Sequence, residues 1–232
     1  MTRILRRLPP CLAVAVAVAI LALTATTAKA GLVLTGNIVQ VIPPPSVALG
    51  ADENDVNAIV FQERSGYSFP TNIAVNFLSP GIANTGNGFS PSPGSLGPGT
   101  SADVYFVHAD PVRNGPETYS GTLTFDSQIL GIIDTSSLLD KSDSTLGFPG
   151  TTYPTGLSAR GLEGSDSVIW MISPNDRTVS FHFETTGAVD EFRVLVAPVP
   201  EPSSLIAGAT AGILLTLYGW RRWRHSPSLA ID

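Results

Sequence analysis

From Ala58 onward the chain is divided into short runs of β-branched and aromatic residues, each closed by Gly, Pro, Asn or Asp. The runs are Ala58–Gln62, Ile73–Leu78, Ala102–His108, Gly121–Phe125, Ile129–Ile133, Ser167–Ile172, Thr178–Glu184 and Glu191–Val196, with Leu32 to Val41 as an earlier candidate. Several alternate: Ile73, Val75 and Phe77 oppose Asn72, Ala74 and Asn76, and Val179, Phe181 and Phe183 oppose Ser180, His182 and Glu184. Alternation with a period of two puts one face in a core and the other in water, which antiparallel sheets permit. About eight such strands with no long helix between them predict an all-β fold, an antiparallel β-sandwich or jelly-roll-like single domain. A helical turn is expected at Thr135–Lys141, capped by Thr135 or Ser136, as a crossover and not a core helix. Ser79 to Ser101 is dense in Gly and Pro and too long for a hairpin connection, so it reads as a surface loop.

The two ends follow other rules. Arg3, Arg6 and Arg7 precede the apolar run Leu12 to Leu23, and Ala28-Lys29-Ala30 supplies a small-x-small cleavage site, the pattern of a secretory signal peptide over residues 1–30. Twelve apolar residues make about 18 Å of helix, short of a hydrocarbon core of about 30 Å. At the other end Leu205 to Trp220 is a short apolar stretch of about 24 Å as helix, diluted by Gly208, Gly212 and Gly219 and followed at once by Arg221, Arg222 and Arg224. Those arginines are expected to hold that end in the cytoplasm as a single transmembrane helix with a marginal insertion energy.

Val199-Pro200-Glu201-Pro202, the short apolar helix and the arginines, in that order, resemble the PEP-CTERM sorting signal, the bacterial C-terminal segment read by membrane enzymes called exosortases and also labelled after ice-binding proteins. The resemblance covers about Pro198 to His225. It implies recognition near Pro200, Glu201 and Pro202, transient insertion in the inner membrane, removal of the helix, and delivery to the surface or matrix of a bacterium that makes extracellular polysaccharide. Signal peptidase and an exosortase are the partners it implies. The stretches TLTFDSQILGIID, GFPGTTYP and ARGLEGSDSV resemble a β-rich passenger domain of exported PEP-CTERM proteins, which transfers no functional residue. The expected organisation is a signal peptide over 1–30, an N-terminal strand and linker over 31–54, the passenger over 55–197, the sorting signal over 198–225 with its helix at about 205–220, and a cytoplasmic tail over 226–232.

Between Gly31 and Pro200 there are six basic residues against seventeen acidic ones, a net charge of −11. A body of that sign repels nucleic acid and anionic lipid, and neither is expected as a partner. The only cysteine is Cys11, inside the signal peptide, so no disulfide is expected in the exported part. No zinc, P-loop, serine-elbow or dithiol motif occurs. The chain is therefore expected to be non-enzymatic and without cofactor, with His108 and His182 read as exposed strand histidines. The weak candidates for a metal are Asp52, Glu53 and Asp55, where calcium would take loop carboxylates. Asp126, Asp134, Asp140, Asp143 and Asp166 fall at strand ends or in turns, and turn formation explains most of these acids without a metal. Alternatives from other classes are a secreted carbohydrate-active enzyme and a calcium-assisted polysaccharide-binding module. No pair of acids stands out in an apolar setting. Tyr67, Tyr105, Tyr119, Tyr153 and Trp170 are the candidate sugar platforms, with Trp170 expected in the core.

Overall fold

The computed structural model describes residues 31–84, 92–112, 117–171 and 176–199, and beyond them Gly212, Leu215 and Thr216 in helical conformation. The described residues from Gly31 to Val199 belong to one compact unit. Ala28, Ala30, Pro200, Glu201, Pro202, Arg221, Arg222 and Arg224 lie outside the described residues, and among the described residues no helix is long and apolar enough to cross a membrane.

Among the described residues twelve strands run in the order β1 (Leu32–Gly36), β2 (Ile38–Gln40), β3 (Ala58–Ser68), β4 (Ile73–Val75), β5 (Gly81–Asn84), β6 (Gly94–Leu96), β7 (Ser101–Ala109), β8 (Glu117–Phe125), β9 (Ile129–Ile133), β10 (Ser167–Trp170), β11 (Thr178–Thr185) and β12 (Asp190–Val196). One helix, α1 (Ser136–Leu146), lies between β9 and β10. The first sheet is ordered β1-β8-β11-β10-β5 and the second β2-β3-β7-β12-β9, while β4 and β6 form a small ribbon. All pairings within strands are antiparallel except β2 with β3.

The alternating strands place their apolar sets as expected. Val179, Phe181 and Phe183 of β11 and Leu123 and Phe125 of β8 meet Tyr105 and Val107 of β7 and Phe192, Val194 and Val196 of β12 in one buried cluster shared by the two large sheets. The opposite side of the second sheet is covered too. Phe61, Val104, Phe106 and Leu195 form a second cluster with Leu139 and Leu146 of α1 and Ile73 and Val75 of the ribbon. Buried on both faces, β7 is apolar from Val104 to Val107 and β12 from Val194 to Val196 where a one-sided strand would alternate, and Asp190, Glu191 and Arg193 of β12 are buried beside them.

Three expectations are corrected here. Leu32 to Val41 is not one strand: β1 pairs with β8 in the first sheet and β2 with β3 in the second. The switch occurs at Gly36, whose φ is +89° and whose missing Cβ would run into the Ser120 carbonyl. Ser79 to Ser101 contains β5 and β6. The helix extends to Leu146 and buries Leu139, Ser142 and Leu146, so it is a packing layer and not a mere crossover. Thr135 is its N-cap without a side-chain cap bond, because Thr135 Oγ1 accepts from Asn76 Nδ2 at 3.2 Å.

Gly36→Ala is expected to destabilise the domain by more than about 2 kcal/mol, since strained φ and backbone contact coincide. Gly66→Ala, also at positive φ (+55°) but with nothing within 4 Å of the added carbon, should cost less. Urea midpoints of the two variants measure the difference.

Candidate functional site

Glu191 and Arg193 of β12 point away from the inter-sheet core, as do His108 and Phe106 of β7 and Glu63 of β3. The strand period places them there: Glu191 registers with His108 and Arg193 with Phe106. Over this face lie α1, carrying Asp140, Ser142 and Asp143, and the segment 147–163, carrying Tyr153 and Arg160. Arg160 is positioned by the first turn of α1, where Ser136 Oγ accepts from the Arg160 and Gly161 amides at 3.2 and 3.0 Å and donates to the Ser158 carbonyl at 2.9 Å.

The result is a continuous chain of buried charges. Arg193 Nε and Nη2 donate to Glu63 Oε2 and Oε1 at 2.5 and 2.8 Å, Nη1 donates to Ser142 Oγ at 2.6 Å, and Nη2 donates to Asp143 Oδ1 at 3.0 Å. Arg160 grips Asp143 with Nη1 and Nη2 at 2.6 and 3.0 Å, reaches Asp140 with Nη1 at 2.7 Å, and donates from Nε to Glu191 Oε2 at 2.5 Å. Glu191 Oε1 accepts from His108 Nδ1 at 2.8 Å, and Tyr153 closes the other end by donating to Glu63 Oε1 at 2.6 Å. Phe106 and Tyr153 pack edge to face with ring centres 5.3 Å apart, and both guanidiniums flank this pair, Arg193 at 4.8 and 5.6 Å from the ring centres and Arg160 at 5.9 and 5.8 Å.

The side chains of Glu63, His108, Arg160, Glu191 and Arg193 have no solvent exposure. Ion pairs with the surrounding carboxylates raise both arginines above their ordinary values despite burial, so their charges are fixed. Burial raises Glu63, and the Arg193 guanidinium and Tyr153 hydroxyl oppose that rise. With four hydrogen bonds from each guanidinium to fixed acceptors, and only Asp140 and Asp143 of the carboxylates reaching solvent, this network ties the helix layer to the sheet.

A second polar group lies where β11 ends and β12 begins. Asp166 Oδ1 and Oδ2 accept from the Glu184 and Glu163 amides, each at 2.8 Å. Burial first, then the Asp166 charge, pushes Asp190 up to about 8, and the proton so held is shared with Asp166. Thus an acid pair in an apolar setting exists where none was visible in the sequence. Asp134, fully buried and with no partner for either oxygen among the described residues, is likewise pushed up to about 7 by burial.

His108 is corrected from an exposed strand histidine to a buried one, 1% exposed, because α1 and segment 147–163 cover its face. His182 does stand on the open face, with Nδ1 2.7 Å from Ser120 Oγ. Asp140 and Asp143 are helical partners of the arginines and not turn residues. Among the sugar platforms, Tyr105 and Tyr119 are fully buried, Tyr153 belongs to the charge network, and Trp170 is core at 3% exposure. Tyr67 is half-buried with the Arg64 guanidinium 5.1 Å from its ring centre. Asp52, Glu53 and Asp55 are not gathered: Asp55 Oδ1 accepts from the Val112 amide at 2.8 Å, and Glu53 is exposed. Among the described residues no group of three or more His, Cys, Asp or Glu is disposed to hold a metal ion.

Comparison of the chain with protein-family models, with curated proteins and with solved structures finds no match.

Two outcomes are expected. Arg193→Met should destabilise the domain by about 3–5 kcal/mol, because Glu63 and Asp143 are then buried beside a missing charge. Arg193→Lys should restore little of that, since a point charge cannot span Glu63, Ser142 and Asp143 together. The second concerns pH. Between the ordinary carboxylate range and about 8 the folded Asp190 keeps a proton that the unfolded chain has lost, so its contribution to stability falls as pH rises through that window. Asp190→Asn, which cannot ionise, should flatten the decline in the urea midpoint between about pH 5 and about pH 8, and a variant with the wild-type slope would contradict the shared proton.

Proposed function

We propose that the chain is an exported, non-enzymatic protein of a bacterial surface or extracellular matrix, sorted by an exosortase through residues 198–225. The observation that carries this reading is the order of Pro200-Glu201-Pro202, an apolar stretch and Arg221, Arg222 and Arg224 at one end of a chain whose other end has the three-part pattern of a signal peptide. Signal peptidase and an exosortase are its processing partners, and the inner membrane is a transient station. The two-sheet scaffold is read as a jelly-roll-like sandwich. Its largely buried charge network supports a structural role for the polar residues most prominent in the fold. Packing and ion pairing, without any disulfide, suit a domain that persists outside the cell.

Association with extracellular polysaccharide is the second reading, favoured by the open face of the first sheet. Hydroxyls pair across its strands there, Thr122 with Ser180 at 2.9 Å and Thr124 with Thr178 at 3.3 Å, beside Ser120 and His182. Such rows at strand spacing offer a neutral, amphiprotic surface to a polyhydroxylated chain. Binding to an array of glycans, with and without chelator, separates this reading and its calcium-assisted form from a purely structural one.

The sorting proposal is tested by variants that fail in different ways. Replacing Pro200, Glu201 and Pro202 with alanine should leave uncut protein in the membrane fraction. Changing Arg221, Arg222 and Arg224 to uncharged residues removes the cytoplasmic hold, so uncut protein should be secreted. Fractionation and intact-mass measurement in the producing bacterium read both, and wild-type behaviour of both variants would reject the sorting signal.

A further inference from the structure

We propose that the peptide bond between Asp110 and Pro111, at the end of β7, is a self-cleavage site assembled by the fold. An aspartate followed by proline has an intrinsic weakness. Its carboxylate can add to its own carbonyl carbon to form a cyclic anhydride, and the nitrogen that must leave belongs to a tertiary amide. Most such bonds persist because nothing orients the carboxylate, polarises the carbonyl or protonates the leaving nitrogen. Here the fold places a group at each task.

Asp110 is 2% exposed. Its Oδ2 is held by the Gly50 amide at 2.7 Å, whereas Oδ1 has no hydrogen-bond partner among the described residues. One oxygen is therefore tied and the other is available as nucleophile. The carbonyl oxygen of Asp110, the one that would gain charge on attack, accepts the Asn54 amide at 2.7 Å. That donor occupies the position at which acyl-transfer sites stabilise a developing oxyanion.

The proton comes from His108. Its Nδ1 lies 2.8 Å from Glu191 Oε1, and because an ionised carboxylate only accepts, Nδ1 carries a hydrogen and Nε2 is left as the working atom. Nε2 is buried and has no partner among the described residues. Arg160 fixes Glu191 from its other oxygen at 2.5 Å, so the imidazole is oriented by a carboxylate that is itself oriented. Two residues apart on an extended segment, His108 and Asp110 face the same way. Burial raises the Asp110 carboxyl, a rise that the Gly50 amide and His108 oppose and Glu53 and Glu191 add to. Tyr119 also senses Asp110, and Asp55, whose Oδ1 accepts the Val112 amide at 2.8 Å, stands just beyond the bond.

In the step itself, Asp110 Oδ1 bonds to the Asp110 carbonyl carbon while the imidazolium Nε2–H passes to the Pro111 nitrogen. The carbon–nitrogen bond breaks, its electron pair stays with nitrogen, and Pro111 becomes a neutral secondary amine. Asp110 becomes a cyclic anhydride and His108 a neutral imidazole. Water then opens the anhydride to two carboxyl groups, so the balance is hydrolysis of one peptide bond by one water. Pro111 is buried, but the next residue, Val112, is 56% exposed, which brings solvent to the product. The event happens once per chain and requires no turnover. Both halves contribute strands to both large sheets, β1, β2, β3, β5 and β7 before the cut and β8 to β12 after it. The nicked domain therefore stays assembled.

The full chain, purified folded and kept at about pH 5, should lose intact mass and yield two fragments, the second beginning at Pro111, that remain together in native size exclusion. The same chain in urea at the acidic pH should cut at least about a hundredfold more slowly, because the orienting groups are gone. His108→Gln, checked for folding by its urea midpoint, should slow cleavage by about a hundredfold. Pro111→Ala should also block it, and keeps the test alive if the first variant fails to fold. A folded wild-type chain that stays intact, or that breaks no faster than the unfolded one, would overturn the proposal, as would a folded His108→Gln chain that cuts at the wild-type rate.

Discussion

Asp143 between two guanidiniums is the contact on which the second half of the fold depends. Arg160 and Arg193 keep their charges under any condition in which the protein exists, and a buried unpaired guanidinium is among the costliest features a domain can carry. Only a carboxylate arriving from outside the sheet can reach both. This requirement fixes the pitch and position of α1, since Asp140, Ser142 and Asp143 must all face inward, and it fixes the path of segment 147–163, which delivers Arg160 and Tyr153. The apolar contacts of Leu139 and Leu146 would tolerate a sliding helix. The forked hydrogen bonds do not.

The same requirement explains the unusual character of β7 and β12. A sheet with one wet face would place polar residues at His108, Glu191 and Arg193 without further demand. Covering that face turns each into an obligation to be met by a named partner, and the protein meets them in series, from His108 through Glu191, Arg160, Asp143, Arg193 and Glu63 to Tyr153. Specific pairing of this kind contributes less net stability than an apolar core of the same volume, but it penalises every alternative docking of the helix layer.

How much of this was readable in the sequence depended on the range of the interaction. The strands were legible wherever the period-two signal was local, as in Val179 to Glu184, and Ile129–Ile133 coincides with β9. Gly36 hid the sheet switch because a positive φ leaves no trace in hydropathy. β5 and β6 were hidden by the Gly- and Pro-rich composition around them, their pairing with β10 and β4 being set by distant partners. The buried network was the least legible part. Glu191 and Arg193 in EFRVLV are the signal that pointed to it: charges at alternating positions in a strand whose other residues are fit for burial. Nothing near Arg160 indicated that its partners would be β12 and α1, so His108 read as exposed when the layer above it was still unassigned.

The strand from which the chain leaves the domain has a mechanical meaning. β12 is no edge strand. It is paired over seven register positions with β7 and over four with β9 on its other side, and Arg193 binds it to Glu63 across the sheet and to the helix above. Tension applied to the chain after Val199 is thus taken up by many hydrogen bonds loaded side by side, in shear, and not by one pair after another as in peeling. β1, bordered by β8 alone, lacks that protection.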